Sequence, residues 1–376
     1  MPTGATADIF RVSSTAGAGN YYDVKNQDGS IEVVLVRKTA AGYVPLVTSD
    51  PTAGPAVTGT RFGACVPQFK PGTTTTAGSE ADIIAKFGQK AMIRKFNSTP
   101  TNTPPPKTTG ASGNHASWSF GIAVLGGSPT QAQIDARISS NNAMAQSIIN
   151  GTYDTQIATS VANLDPAYWF VEILHELDTK VNGGWITLAN GQQLKDHAYK
   201  VIKSANSDLN VVATYQAYGF ADTNTAWSSG TFTTRYGSIP HDVIGLDFDG
   251  IATLKSGTGG NTGVAAEYVL PYPTLQGNRM QNAQQWVRNR SLVGWSVPEW
   301  GTLANAVIAD ANNQVLADTF INYLGQQWLK STMPPLYACW YDYGPNPEAA
   351  ASVYSDLLSQ PASIGAMKTL VASYQP

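Results

Sequence analysis

The 376-residue chain sets 23 Lys and Arg against 26 Asp and Glu, a formal charge of −3, and has no basic run. That excludes the clustered cations a nucleic-acid partner needs against phosphates. No stretch reaches the ~18 consecutive apolar residues of a membrane span, and no membrane association is expected. Apolar residues make up 42% and charged residues only 13%, against about 25% charged in an average soluble protein. Thr, Ser, Asn, Gln and Gly fill the surface instead, as in many extracellular and virion proteins. The first residues, MPTGATADIFRV, lack the basic start and apolar stretch of a signal peptide. The expected location is therefore extracellular or virion-associated, reached without a visible signal.

Residues 1–50 read as a small β-rich module, with strands at 8–14, 21–25, 31–37 and 43–48. An Asp28-Gly29 turn separates the second and third. So small a core needs support, and attachment to a partner through this module is one expectation. The Pro- and Gly-containing stretch 51–59 reads as a linker.

From residue 60 onward short apolar runs alternate with helical stretches, the signature of βα units. Strands are expected at 62–67, 91–96, 117–123, 169–175, 210–215, 243–248, 293–297 and 336–340. Helices are expected at 80–88, 131–149, 193–204, 281–288, 317–330 and 349–358. The crossovers 97–115 and 217–240, rich in Thr, Ser and Gly, read as loops. Eight strands with interposed helices, and no Gly-rich phosphate turn after the first, favour a closed (β/α)8 barrel over 60–376. Cys65 and Cys339 fall on the first and last strands, adjacent in a closed barrel. They are read either as two separate buried thiols or as a bridge across the seam.

Barrel enzymes carry their chemistry at the C-terminal ends of strands. Two such ends bear carboxylates: Glu172-Ile173-Leu174-His175-Glu176 on the fourth strand, and Val297-Pro298-Glu299-Trp300-Gly301 on the seventh. Strand ends four and seven face each other across the mouth. A pair of carboxyls there suits glycosidic-bond cleavage, which needs one protonated and one ionised carboxyl. Glu172 shares simple strand parity with Glu176, so both are expected to point inward, with Arg94 on the second strand neutralising Glu172.

The His175-Glu176 pair and the Glu299-Trp300-Gly301 run resemble clan A glycoside hydrolases, most nearly family 26, the mannanase-containing family. Asp242-Val243-Ile244-Gly245-Leu246-Asp247, Phe62-Gly63-Ala64 and Trp118-Ser119-Phe120 add to the likeness. The resemblance implies a retaining glycosidase that needs no metal or organic cofactor, with Glu176 as acid/base and Glu299 as nucleophile. It makes His175 a neighbour of the reacting sugar. Two positions depart from the family. Glu172 stands where Arg is common, four residues before the acid/base, and Asp249 where Tyr follows the sixth strand.

Substrate contacts are expected from Trp118, Asp247, Asp249, Trp300, Trp340 and Tyr215, since aromatic faces stack on the apolar C–H edges of sugar rings. Trp185, Trp227, Tyr341 and Tyr343 are further loop candidates. The four histidines, His115, His175, His197 and His241, are scattered without zinc-ligand spacing. No G-x-S-x-G elbow occurs. The expected partner is thus a polysaccharide or oligosaccharide. The alternatives are a non-catalytic carbohydrate-binding or virion-associated barrel, and an inverting enzyme with more widely spaced carboxyls.

Overall fold

A computed structural model describes residues 59–66, 78–100, 112–222, 224–248, 279–300, 333–341 and 361–374. It also describes strands at 10–12, 21–25, 31–39, 42–45, 303–304 and 353–354, and short pieces at 325, 328–329 and 331. The chain divides into two compact units, Met1–Ala56 and Val57–Pro376.

The first unit is an antiparallel meander of β1 (Phe10–Val12), β2 (Tyr21–Lys25), β3 (Ile31–Thr39) and β4 (Gly42–Pro45). All four elements were legible from their β-branched and aromatic runs.

The second unit is a closed parallel barrel. Its strands are β5 (Arg61–Cys65), β6 (Met92–Asn97), β7 (Gly113–Trp118), β8 (Trp169–Ile173), β9 (Asn210–Gln216), β10 (Val243–Asp247) and β11 (Gly294–Trp300). A short β12 (Leu303–Ala304) follows. Then β13 (Tyr337–Trp340) pairs with both β11 and β5 and closes the ring. The flanking helices are α1 (Glu80–Phe87), α2 (Gln131–Ile149), α3 (Asp154–Val161), α4 (Leu177–Asn182), α5 (Leu188–Ala205), α6 (Thr225–Ser228), α7 (Thr231–Tyr236), α8 (Arg279–Arg290) and α9 (Pro361–Ser373). This is the (β/α)8 barrel that the alternation of elements predicts. Among the described residues no helix is long and apolar enough to cross a membrane.

Several local expectations need correction. The third strand lies at Gly113–Trp118, earlier than 117–123, because Phe120 and Gly121 take positive φ (52° and 73°) and turn the chain away. The crossover 217–240 holds a 3-10 turn at Ala217–Phe220 plus α6 and α7, each too short for periodicity to reveal. In place of a helix at 349–358 the chain forms β14 (Val353–Tyr354), paired with β12. That is a non-local contact no local pattern announces. Helix α9, absent from the expected elements, begins with a Pro, which is favoured at a first helical position. Of the helix expected at 317–330, positions 325, 328 and 329 are helical and the remainder lies outside the described residues. Cys65 and Cys339 sit buried on adjacent strands, with Cys339 opposite Gly63, and both are free thiols.

Strand alternation sorts side chains into two layers. Met92, Phe170, Val212, Val243, Tyr337 and the two cysteines fill the lumen. Ile93, Ala116, Val171, Ala213, Ile244 and Val297 face outward onto Ile83, Phe87, Leu194 and other helix residues. Two irregularities break this alternation at the mouth. Ile173 and Leu174 both face the outer layer, because Leu174 has φ 59°, and this turns the next side chain, His175, into the lumen. On β11 the pairing slips between Val297 and Trp300, which both face outward although they are three residues apart. The bulge re-aims Glu299 inward, the kind of use bulges have beside active sites. Pro298 sits in the bulge, where its missing N–H costs no ladder bond.

Gly245 on β10 leaves room for this bulge. A Cβ there would lie 2.7 Å from Pro298 Cγ and 2.7 Å from Thr214 Oγ1. Gly245→Ala is expected to destabilise the barrel by about 1–3 kcal/mol through overpacking. Chemical denaturation checks this, and an unchanged midpoint would show that the bulge yields freely.

Candidate active site

Four strands deliver charged side chains to one buried cluster at the C-terminal mouth. Arg94 of β6 is fully buried and lies at its centre. Its Nη1 donates to Glu299 Oε1 at 2.7 Å, and its Nη2 is 3.5 Å from Glu172 Oε2. The expectation that Arg94 neutralises Glu172 is met, and the same guanidinium also holds Glu299. Glu172 Oε1 accepts the backbone N–H of Thr214 at 2.9 Å, where the β8–β9 ladder has ended. Lys195 Nζ approaches the same oxygen at 3.9 Å.

His175 ties the cluster together. Its Nδ1 is 3.2 Å from Glu172 Oε2, while its Nε2 is 2.9 Å from Asp247 Oδ2 and 3.1 Å from Glu299 Oε1. Burial alone would lower the His175 pKa, but the charges of Asp247 and Glu299 outweigh it and hold the imidazole well above its ordinary value. The raised pKa favours the protonated ring, with Nε2 facing Asp247 and Glu299, while Nδ1 lies between Arg94 Nη2 at 3.0 Å and Glu172 Oε2 at 3.2 Å. Burial likewise favours neutral carboxyls, yet the two partners of His175 diverge. His175 and Arg94 together pull Glu299 below the usual carboxylate range. Asp247 feels Arg94 only weakly, and burial plus the charge of Glu299 outweigh both cations and push it well above. Below the cluster, His115 is held neutral by burial and by Arg94, and its Nδ1 meets Tyr337 Oη at 3.0 Å.

Glu176 begins α4 with φ 47° and ψ 61°, a left-handed conformation that costs about 1–3 kcal/mol for such a residue. Together with Leu174, it gives two strained residues that flank His175. Gln216 Nε2 donates to Glu176 Oε1. Simple parity is wrong here. Glu172 faces the lumen as expected, but the turn at Leu174 puts Glu176 at the rim.

The aromatic platforms need the plainest correction. Trp118, Tyr215, Trp300 and Trp340 are at most 2% exposed and all belong to the outer layer. Trp300 packs edge-to-face on Trp340 at 4.9 Å, and Tyr215 packs on Phe232 and Tyr236. A ring that stacks on sugar must show a face to solvent, so these four are core residues. Asp247 is in the cluster, while Asp249 and Tyr343 lie outside the described residues. Trp227 is partly buried against the outer core. The aromatics at the mouth are others. Phe96, 45% exposed, lies 4.3 Å under the Arg94 guanidinium and edge-on to His175 at 5.6 Å. Tyr341 touches it at 6.3 Å. Phe96 shares the parity of Arg94 two residues on along β6, and that shared parity is the sequence signal for its place at the mouth.

His175, Glu176 and Asp247 each offer a ligand atom, all within 4.8 Å of one another. A cation there requires neutral imidazole, which the raised pKa of His175 disfavours.

No protein-family model and no curated protein matches the chain. Solved structures do. A family 5 xyloglucanase from Paenibacillus pabuli aligns with TM-score 0.50 and 11% identity over 84% of this chain and 98% of its own. A glucosidase from Croceicoccus marinus aligns with TM-score 0.46 and 8% identity over 84% and 68%. A β-glucuronidase from Bacteroides uniformis gives 0.40 and 10% over 87% and 36%, so the chain spans about a third of that protein's length. At such identities the likeness is one of fold. It is to the (β/α)8 barrel alone, and nothing in it is specific to family 26.

Two measurements probe the cluster. Arg94→Met leaves Glu172 and Glu299 buried with less cationic compensation, and a loss of about 3–5 kcal/mol in unfolding free energy is expected; a loss under 1 kcal/mol would mean that the cluster hydrates. The second concerns Asp178, 4% exposed, whose carboxyl is pushed up to about 7 by burial and by Glu176. Folded protein then binds this proton more tightly than unfolded chain. The resulting stability is fully present below pH 3.8 and is lost as pH rises through about 7. Asp178→Asn stays neutral throughout, so its Tm advantage over the native protein should grow between pH 4 and pH 8. A pH-independent difference would reject the shift.

Proposed function

We propose that the chain is a retaining glycoside hydrolase acting on a polysaccharide or oligosaccharide. The observation that carries this reading is Glu299, kept ionised in the mouth by Arg94 and His175, in a cluster whose His175 and Asp247 also lie within 4.8 Å of Glu176. Glu299 attacks the anomeric carbon, and Glu176 protonates the departing oxygen. The glycosyl ester neutralises Glu299, and Glu176 then takes a proton from the water that releases the sugar. His175 and Arg94 keep the nucleophile charged and aimed. Phe96, the exposed ring beside them, offers a face to the sugar under attack. The likeness to family 26 rests on His175 preceding Glu176, and mannan is accordingly among the substrates to try. An extracellular or virion-associated location, with attachment through residues 1–50, completes the proposal.

The test is a screen of polysaccharides and aryl glycosides with native protein, Glu176→Ala and Glu299→Ala. Glu299→Ala is expected to abolish turnover, with azide restoring it as a glycosyl azide of inverted configuration. Glu176→Ala is expected to lower kcat by about 10²–10⁴-fold on substrates with poor leaving groups. Glycans bound equally by all three proteins and cleaved by none would make the barrel a binding scaffold.

A further inference from the structure

Lys195 occupies the buried face of α5, in the stripe that Gly191, Leu194, Ala198 and Ile202 form. It is 5% exposed, and a lysine is almost never buried without a partner. With Ile173, Val211 and Ala213 it lines a gap of about 10 Å³ between the helix and strands β8 and β9, about the least that can hold one water. Its Nζ makes no hydrogen bond among the described residues. The carboxylate it approaches is Glu172, at 3.9 Å.

Glu172 points into the lumen, whereas Lys195 belongs to the helix layer outside. The two meet because the wall is open between them. Pairing of β8 with β9 runs from Phe170–Asn210 through Glu172–Val212 and stops, and beyond it the N–H of Thr214 donates to Glu172 Oε1. The carboxylate is therefore gripped from two sides. Thr214 and Lys195 face Oε1, while Arg94, His175, His115 and Ser117 face Oε2. Lys195 adds a third cation to Arg94 and His175, against the three buried acids Glu172, Asp247 and Glu299. Burial pulls its ammonium down to about 8, and the charge of Glu172 resists. The other ionisable groups around it are Asp178 and Lys180 of α4, His115 of β7 and His241 ahead of β10.

We propose that Lys195 is a positioning residue of the reaction centre: from outside the barrel it holds Glu172 Oε1, so that Oε2 stays aimed at His175 and Arg94, which orient Glu299. The proposal rests on the glycosidase reading for the role of Glu299, and on the ion pair alone for the hold on Glu172. Without the ammonium, Glu172 is a buried carboxylate one cation short. It then takes up a proton more readily or turns further toward Arg94, and each change alters the grip on Glu299. Removing one positive charge also makes the coupled cluster take up its first proton at a higher pH, whichever carboxyl receives it.

The experiment has two arms. In native protein the Lys195 ammonium is expected to titrate near pH 8, read from the NMR shift of its Cε, and the His175 ring resonances are expected to shift with the same midpoint. In the second arm, on whichever glycan or aryl glycoside is cleaved, Lys195→Met is expected to move the acidic limb of the kcat/KM profile up by about one pH unit, the shift one opposite charge gives at this range. Lys195→Met/Glu172→Gln removes the carboxylate along with its cation and is expected to bring the limb most of the way back. A residue that only fills space at position 195 would change stability and leave both readouts where they are. His175 resonances that ignore the Lys195 titration overturn the proposal, even where Lys195→Met fails to fold. A limb that stays in place, or one that the added Glu172→Gln does not restore, overturns it too and leaves the glycosidase reading intact. Absence of cleavage of every glycan and aryl glycoside overturns the glycosidase reading and with it the catalytic part of the proposal, while the NMR arm still decides whether Lys195 acts on His175.

Discussion

The guanidinium of Arg94 is the point on which the mouth of this barrel depends. Three buried acids, Glu172, Asp247 and Glu299, surround one buried arginine and one imidazolium. A charge removed from water costs several kcal/mol unless it is paired and hydrogen-bonded, so none of these groups is tolerable alone. Arg94 is long and planar enough to reach Glu172 and Glu299 at once, and His175 spans the space that remains to Asp247. The assembly favours one arrangement of four strands because only that arrangement brings the opposite charges within reach. It also fixes the ionisation of Glu299, because the two cations outweigh the burial that would otherwise neutralise it.

This charged layer rests on an ordinary barrel floor. Phe170, Val212, Val243, Met92 and Tyr337 fill the lumen below, and they are the alternate partners of the outward residues that pack on the helices. The floor excludes water from beneath the cluster, which strengthens every ion pair above it. Stability and chemistry are thus separated along the barrel axis, apolar below and charged above, as barrels of this class divide them.

Backbone irregularity is concentrated where that division occurs. Leu174 and Glu176 adopt positive φ on either side of His175, and the β11 bulge lies directly before Glu299. Each irregularity breaks the two-residue alternation that would otherwise send His175 and Glu299 into the helix layer. Local strain of this kind persists only where surrounding contacts over-determine it. Here the ion pairs of the cluster supply that determination.

The alternation of β-prone runs and helical stretches was enough to give eight strands, most of the helices and the closed ring, because each such element is set by local periodicity and burial. Glu172, Glu299, Asp247 and Arg94 could be singled out too, because a carboxylate or arginine at the end of an apolar strand has few places to go without a partner. What the sequence could not decide was direction. Trp118, Tyr215, Trp300 and Trp340 read as sugar platforms, yet alternation turns all four toward the helices. His175 and Glu299 reach the lumen only through a left-handed residue and a register slip, and both arise from contacts between strands distant in sequence. Strand parity is a local rule with period two, and a single irregular residue inverts it for everything that follows. Only the packed barrel decides where those inversions fall.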